Sequence, residues 1–192
     1  MSIIIGDKPD SDFADPIGLL KDCHRRIEKF LDLLVAIANE AKGKPLGLDH
    51  RVAVETALCY FREAAPKHTA DEEESLFPRI RNSGYLDANE IVSDLDRLQA
   101  DHLTTDEAHR VVSELFRQWL VNDLLLPDEV VRLMLLLRSL RDIYTRHITE
   151  EETRVFPYAA SRLTRTDLKA VGLEMARRRG LAAKGFSRWD SG

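Results

Sequence analysis

The segments HTADEEESLFP (residues 68–78) and HITEEETRVFP (residues 147–157) are two renderings of one phrase. Each opens with a histidine, sets glutamates four and five residues later, and closes in Phe-Pro. A spacing of four puts the histidine and the first glutamate on one face of a helix, one turn apart. A chain built on this phrase therefore needs at least two helices, each turning an imidazole and a carboxylate in a common direction.

The remaining punctuation agrees. Asp15-Pro16 is a good N-cap and first-position pair. It predicts a helix to about Ala41 whose inward stripe is Ile17, Leu20, His24, Ile27, Leu31, Leu34 and Ala38. A second helix is expected from Leu48 to Phe77, with Pro66 kinking or bulging it just before His68. Its stripe reads Val54, Leu58, Phe61, Ala65, His68 and Glu72. A third opens at Asp87, with Glu90 completing a capping-box-like pair, and turns Ala88, Ile91, Leu95, Leu98, His102, His109 and Val112 inward. A fourth starts near Pro127 and carries Leu133, Leu137, Leu140, Tyr144, His147 and Glu151. A shorter helix from Thr166 ends in Arg177–Arg179, which complement its dipole, and a loose tail follows Gly180. Phe77-Pro78 and Phe156-Pro157 read as core plugs and helix terminators.

Four long amphipathic helices with short connections imply an all-α, up-down-up-down four-helix bundle with a short C-terminal helix and tail. The expected organisation is an arm over 1–14, the bundle over 15–160, and the terminal helix and tail over 161–192. His68 and His147 lie 79 residues apart, and His24 and His102 lie 78 apart, so the bundle reads as two similar hairpins.

Four of the six histidines, His24, His68, His102 and His147, fall one per helix on the inward stripes. Each has an acid four residues on: Glu28, Glu72, Asp106 and Glu151. Counted from the helix ends, all four histidines lie roughly 12 to 23 Å from the same end of the bundle. His109 sits about 10 Å deeper than His102 and does not fit the layer. His50 falls in a loop or first turn and is expected to face solvent. Glu73, Glu74, Glu150 and Glu152 read as solvated faces, and Cys23 and Cys59 as buried small residues.

A buried imidazole beside a buried carboxylate is costly unless something holds both, and a cation does. Four imidazoles and two carboxylates exceed one tetrahedral zinc site. They suit two five- or six-coordinate ions, each with two histidines, bridged by Glu72 and Glu151, with an oxo or hydroxo bridge completing the charge. Open positions make iron the leading candidate, with zinc or manganese as substitutes.

The bulk properties narrow the rest. The 192 residues are 44% hydrophobic and 32% charged, the mixture of an ordinary globular chain. A net charge of −5 argues against a nucleic-acid surface. Two cysteines outside any CxxC pair suit a reducing compartment. No apolar run spans a bilayer and the first residues lack a secretory pattern, so a cytoplasmic location is expected.

The pattern of His24, His68 with Glu72 ahead of Phe-Pro, His102, and His147 with Glu151 resembles the hemerythrin-like, or HHE cation-binding, domain over roughly residues 15–160. The resemblance implies a bundle holding a non-haem di-iron centre that meets oxygen, nitric oxide or peroxide. The oxygen-carrying members place a fifth histidine where Asp106 stands here. With four imidazoles the chain looks closer to the branch associated with nitrosative stress and iron–sulfur cluster repair. The cysteine-bearing segment of those repair proteins is not evident in MSIIIGDKPDSDFADP. Sensing, storage or detoxification of a small ligand is one expected role. A di-iron enzyme reducing peroxide or oxygen, with Tyr60 or Tyr144 as proton or redox partner, is the other.

Overall fold

The computed structural model describes residues 10–83 and 88–181, with residues 88 and 89 given by their backbone. The expected cap at Asp87, the Ala88 side chain, most of the arm and the tail beyond Leu181 lie outside the described residues.

The first rod is α1, Pro16–Ala41, started where the Asp15 carboxylate accepts from the Gly18 N–H and stopped at a left-handed Lys42. The second is a composite: α2 (Leu48–Glu63), α3 (Ala65–Ala70), a π-helical turn π1 (Asp71–Leu76) and α4 (Phe77–Arg81). The third is α5, Ala88–Asn122. The fourth repeats the second: α6 (Pro127–Glu150), π2 (Glu151–Val155) and α7 (Phe156–Arg162). A final helix, α8, runs Arg165–Arg178 behind a capping box between Thr164 and Asp167, one residue earlier than expected. Among the described residues there is no strand, and no helix is long and apolar enough to cross a membrane.

The prolines act differently from the sequence-based expectation. Pro66 does mark a break, but the break falls at Ala64, which leaves the proline in the first turn of α3, where a missing N–H is harmless. Pro78 and Pro157 do not end their rods. In an α-turn each ring would press on the carbonyl four residues back. The π-turn ahead widens the spiral, with the Phe77 N–H reaching Glu72 O and the Phe156 N–H reaching Glu151 O, five residues back. The helix then continues through the proline for another turn.

α1 packs on α2 and α6, and α5 packs on the same two, so the rods form an antiparallel square in chain order. At one end the first and third loops are tied together. Gly43, at φ 79, accepts from the Leu125 N–H at 2.9 Å, and the Trp119 indole donates to Lys44 O at 2.9 Å. A side chain at Gly43 would stand 2.6 Å from Leu125 O, so both the backbone angle and the close approach require glycine.

The buried apolar residues divide into two clusters. One, from Ile27 and Phe61 to Trp119 and Leu140, fills the end with the tied loops. The other, from Leu20 and Leu76 to Leu98 and Phe156, fills the opposite end together with Val171 and Met175 of α8. Between them every rod carries its inward histidine: His24 between Leu20 and Ile27, His102 between Leu98 and Val112. The polar layer thus cuts the core in two.

α8 is held by more than apolar contact. Arg178 and Arg179 reach the fully buried Asp71 carboxylate at 2.9 and 2.7 Å, and Arg79 grips Glu174 through both oxygens. The arginine cluster is therefore a tertiary latch on π1, not only a complement to the helix dipole. Gly172 lets α8 approach the Phe13 backbone, since a Cβ there would lie 2.0 Å from Phe13 O. Gly172→Ala gains about 1 kcal/mol in helix propensity but incurs a steric cost of about 3 kcal/mol. A net loss of about 2 kcal/mol is expected, read as a lower urea midpoint; an unchanged midpoint would show that the Phe13 segment yields freely.

Candidate metal centre

Six side chains meet in the polar layer. His24 comes from α1, His68 from α3, His102 from α5 and His147 from α6, while Glu72 and Glu151 are the inward residues of π1 and π2. Both glutamates are 0% exposed and the histidines are buried around them. The Nε2 atoms converge on the carboxylates. His24 lies 3.0 Å from Glu151 Oε2 and 3.8 Å from Glu72 Oε1, and His68 lies 3.3 Å from Glu72 Oε1. His102 is 3.4 Å from Glu72 Oε2, and His147 is 3.4 Å from Glu151 Oε2.

Nε2 of His24 and of His102 and all four glutamate oxygens are buried without a hydrogen-bond partner. Buried polar atoms are almost always satisfied, and six orphans aimed at one spot mark a place where a cation would complete them. Two overlapping quartets result, His24–His68–Glu72–Glu151 and Glu72–His102–His147–Glu151, each with its donor atoms within 4.8 Å of one another. Imidazole nitrogen and carboxylate oxygen are a donor set for first-row transition metals.

A second row of acids stands behind the first. Nδ1 of His24 is 2.9 Å from Glu152 Oε1, and Nδ1 of His102 is 2.7 Å from Glu73 Oε1. A carboxylate only accepts, so each Nδ1 carries a proton and donates it, which turns Nε2 toward the chamber. Asp101, itself gripped by Arg146, lies 3.6 Å from His147 Nδ1. Glu73 and Glu152 are thus not simply solvated faces. The signal was available in the doubled phrase, whose second glutamate follows the first in both copies.

Charge in the layer is strongly coupled. Burial alone would lower the His24 pKa, but contacts with Glu151 and Glu72 overcome it and raise it to about 10. His102 is likewise lifted to about 9 against its burial, by Glu72 first. His68, which gains less from its neighbours, is held neutral by burial, with its pKa at about 4. Burial opposes ionisation of Glu72 too, yet the surrounding histidines hold it well below the usual carboxylate range.

The remaining sequence candidates fall elsewhere. Glu28 and Asp106 are exposed and belong to neither quartet. His109 is stacked on Phe61, with its Nε2 3.0 Å from the Tyr144 hydroxyl, deeper in the bundle. His50 is half-buried near Glu40. Cys23 is buried as expected, but Cys59 is exposed. Tyr60 turns its hydroxyl to Cys23 O, away from the layer. Tyr144 does reach it, lining with the four histidines, Ile27 and Ile148 a cavity of about 10 Å³.

Outer carboxylates that orient an imidazole typically account for about 10- to 100-fold in metal affinity. Glu152→Ala and Glu73→Ala are each expected to weaken zinc binding by about that factor, measured by competition with a chromophoric chelator. Unchanged affinity in both would reduce these acids to surface residues.

Among curated proteins none matches the chain significantly. A family model does match: the hemerythrin HHE cation binding domain, over residues 15–159. The match starts at the N-cap of α1, ends in α7, takes in both quartets and leaves out α8. With most of its length matched and its buried imidazoles and carboxylates gathered at one level of a helical bundle, the chain belongs to the hemerythrin HHE cation-binding domain family.

Proposed function

We propose that the chain holds a pair of iron ions, with His24 and His68 on one, His102 and His147 on the other, and Glu72 and Glu151 bridging them. The observation that carries this reading is that the same two carboxylates belong to both quartets. Two divalent ions bring four positive charges and the carboxylates return two negative, which leaves room for a small anionic bridge. Zinc or manganese would fit the same donors in a given preparation.

The ligand we assign to this centre is oxygen, nitric oxide or peroxide, in a sensing, storage or detoxifying role linked to oxidative or nitrosative stress. Bound iron would supply open coordination positions and one-electron chemistry. The protein supplies the surroundings. A cavity of about 10 Å³ is at the lower limit for one water-sized occupant, which favours a diatomic or similarly small molecule. Ile27 and Ile148 wall it with hydrocarbon, and Glu73 and Glu152 hold two of the rings in place.

A second reading, a di-iron enzyme that reduces peroxide or oxygen, is favoured by Tyr144. Its hydroxyl is anchored by His109 at the cavity wall, and burial pushes its pKa up so that it keeps a proton to donate. Aerobically purified protein is expected to carry about two irons per chain and near-ultraviolet oxo-bridge bands, both lost in a Glu72→Ala, Glu151→Ala double variant. A colourless protein that refuses iron even when reconstituted without air would sink the di-iron reading. Iron-dependent turnover of peroxide, reduced in Tyr144→Phe, would select the enzyme over the binder.

The raised histidines also make loading a proton-releasing event. At pH 8 the metal-free chain keeps His24 and His102 protonated, since their pKa values are about 10 and about 9. Coordination needs neutral imidazole, so loading with zinc is expected to release about two protons per chain at pH 8. The yield should fall away above pH 10, where the protons are already gone. Before metal arrives, the same two contacts stabilise the fold fully below about pH 6.5 and lose that contribution as pH rises through 10. Calorimetry in buffers of different ionisation enthalpy measures the release; none at pH 8 would mean that these rings are neutral before metal arrives.

A further inference from the structure

A second cavity, of about 450 Å³, opens on the outer side of α1 and α3, where the chain leading into α1 and the end of α8 close over it. Its size is in the range of small-molecule sites, roughly 300–1,000 Å³. The walls are mainly hydrocarbon and ring: Phe13, Leu19, Tyr60 and Ala64, with the buried Cys23 among them. Three cationic groups line it, and they are not equivalent. Arg179 is already committed, to Asp71 at 2.7 Å and to Met175 O at 2.9 Å, with its guanidinium 5.9 Å from the Phe13 ring centroid. The Arg26 and Lys67 side chains make no hydrogen bond or close ion pair among the described residues.

Two acids also stand at the rim. Glu63 is paired with Arg62 at 2.9 Å, and Asp12 accepts from the Ala14 N–H at 2.8 Å. What remains uncommitted in the cavity is therefore two positive heads above an apolar floor, on a chain whose net charge is −5. A metal cation finds no histidine and no free carboxylate pair here, and the cavity residues belong to neither quartet. An inorganic anion alone would leave the ring-lined floor unused.

We propose that this cavity binds a small organic anion, an apolar or aromatic body carrying one carboxylate, sulfonate or phosphate group. The body lies on Leu19, Tyr60 and Phe13, and the anionic group is taken by Arg26 and Lys67. The position gives the site a route to the metal centre. Cys23 and Lys67 each directly precede a histidine of the first quartet, His24 and His68, so an occupant braces the two helical turns that carry them. The inference stands whichever ion occupies the chamber.

The test uses the full chain and anilinonaphthalene sulfonate, an aromatic sulfonate whose fluorescence reports binding. One saturable site per chain is expected, displaced by 1-naphthoate but not by the neutral 1-naphthalenemethanol of similar shape. Arg26→Gln with Lys67→Gln should weaken binding about tenfold or more while leaving helical content and metal content unchanged. Asp12→Asn should hold or tighten it, because it removes a negative charge from the rim. Equal displacement by the neutral compound, or full affinity in the double glutamine variant, would overturn the proposal and place the probe on exposed apolar residues such as Leu48 and Val121.

Discussion

Two carboxylates buried at the same level of a helical bundle repel each other, and neither reaches water. Glu72 and Glu151 are in that position, each fully enclosed, and the charge on Glu72 works against ionisation of Glu151. The pair persists because positive charge is brought between them as protons on His24 and His102, a place that a cation could also fill. The imidazoles that act as counter-ions are the same ones that would serve as donors to a bound cation. Much of the rest follows from holding this layer: one histidine per rod, the second row of acids on the outer ring nitrogens, and the division of the apolar core into two clusters.

Much of this was legible in the sequence, because it depends on spacing. The helix phase that puts His24 between Leu20 and Ile27 is a matter of counting, and so is the i to i+4 pairing of His68 with Glu72. Depth along the bundle followed from rise per residue. The doubled phrase also carried the family resemblance that the match over residues 15–159 supports.

What was not legible depends on departures from the regular helix. Phe-Pro looks like a stop because proline ends an α-turn, and only the wider π-turn lets the rods continue. Within those turns consecutive glutamates serve one centre, Glu72 to the chamber and Glu73 to the ring behind it, which an α-helical wheel does not anticipate. The Asp71 latch was invisible for another reason. Its arginines lie more than a hundred residues away, and only the docking of α8 brings them to the buried carboxylate.

The internal repeat has a consequence for how such a centre can be assembled. Residues 71–73 and 150–152 correspond at the same offset that relates the two phrases: Asp71 to Glu150, Glu72 to Glu151, Glu73 to Glu152. Their environments keep that correspondence around the chamber and abandon it outside. Glu73 and Glu152 each hold a histidine of another rod, whereas Asp71 is bound by Arg178 and Arg179 of α8, and Glu150 by Arg97 of α5. A single helical hairpin with one histidine and one such phrase would therefore supply half of the donor set, and two copies related by a dyad would supply all of it. Fusion into one chain frees the outer surfaces from that symmetry, so that Asp71 can take the arginine latch of α8 while its counterpart Glu150 takes a different partner.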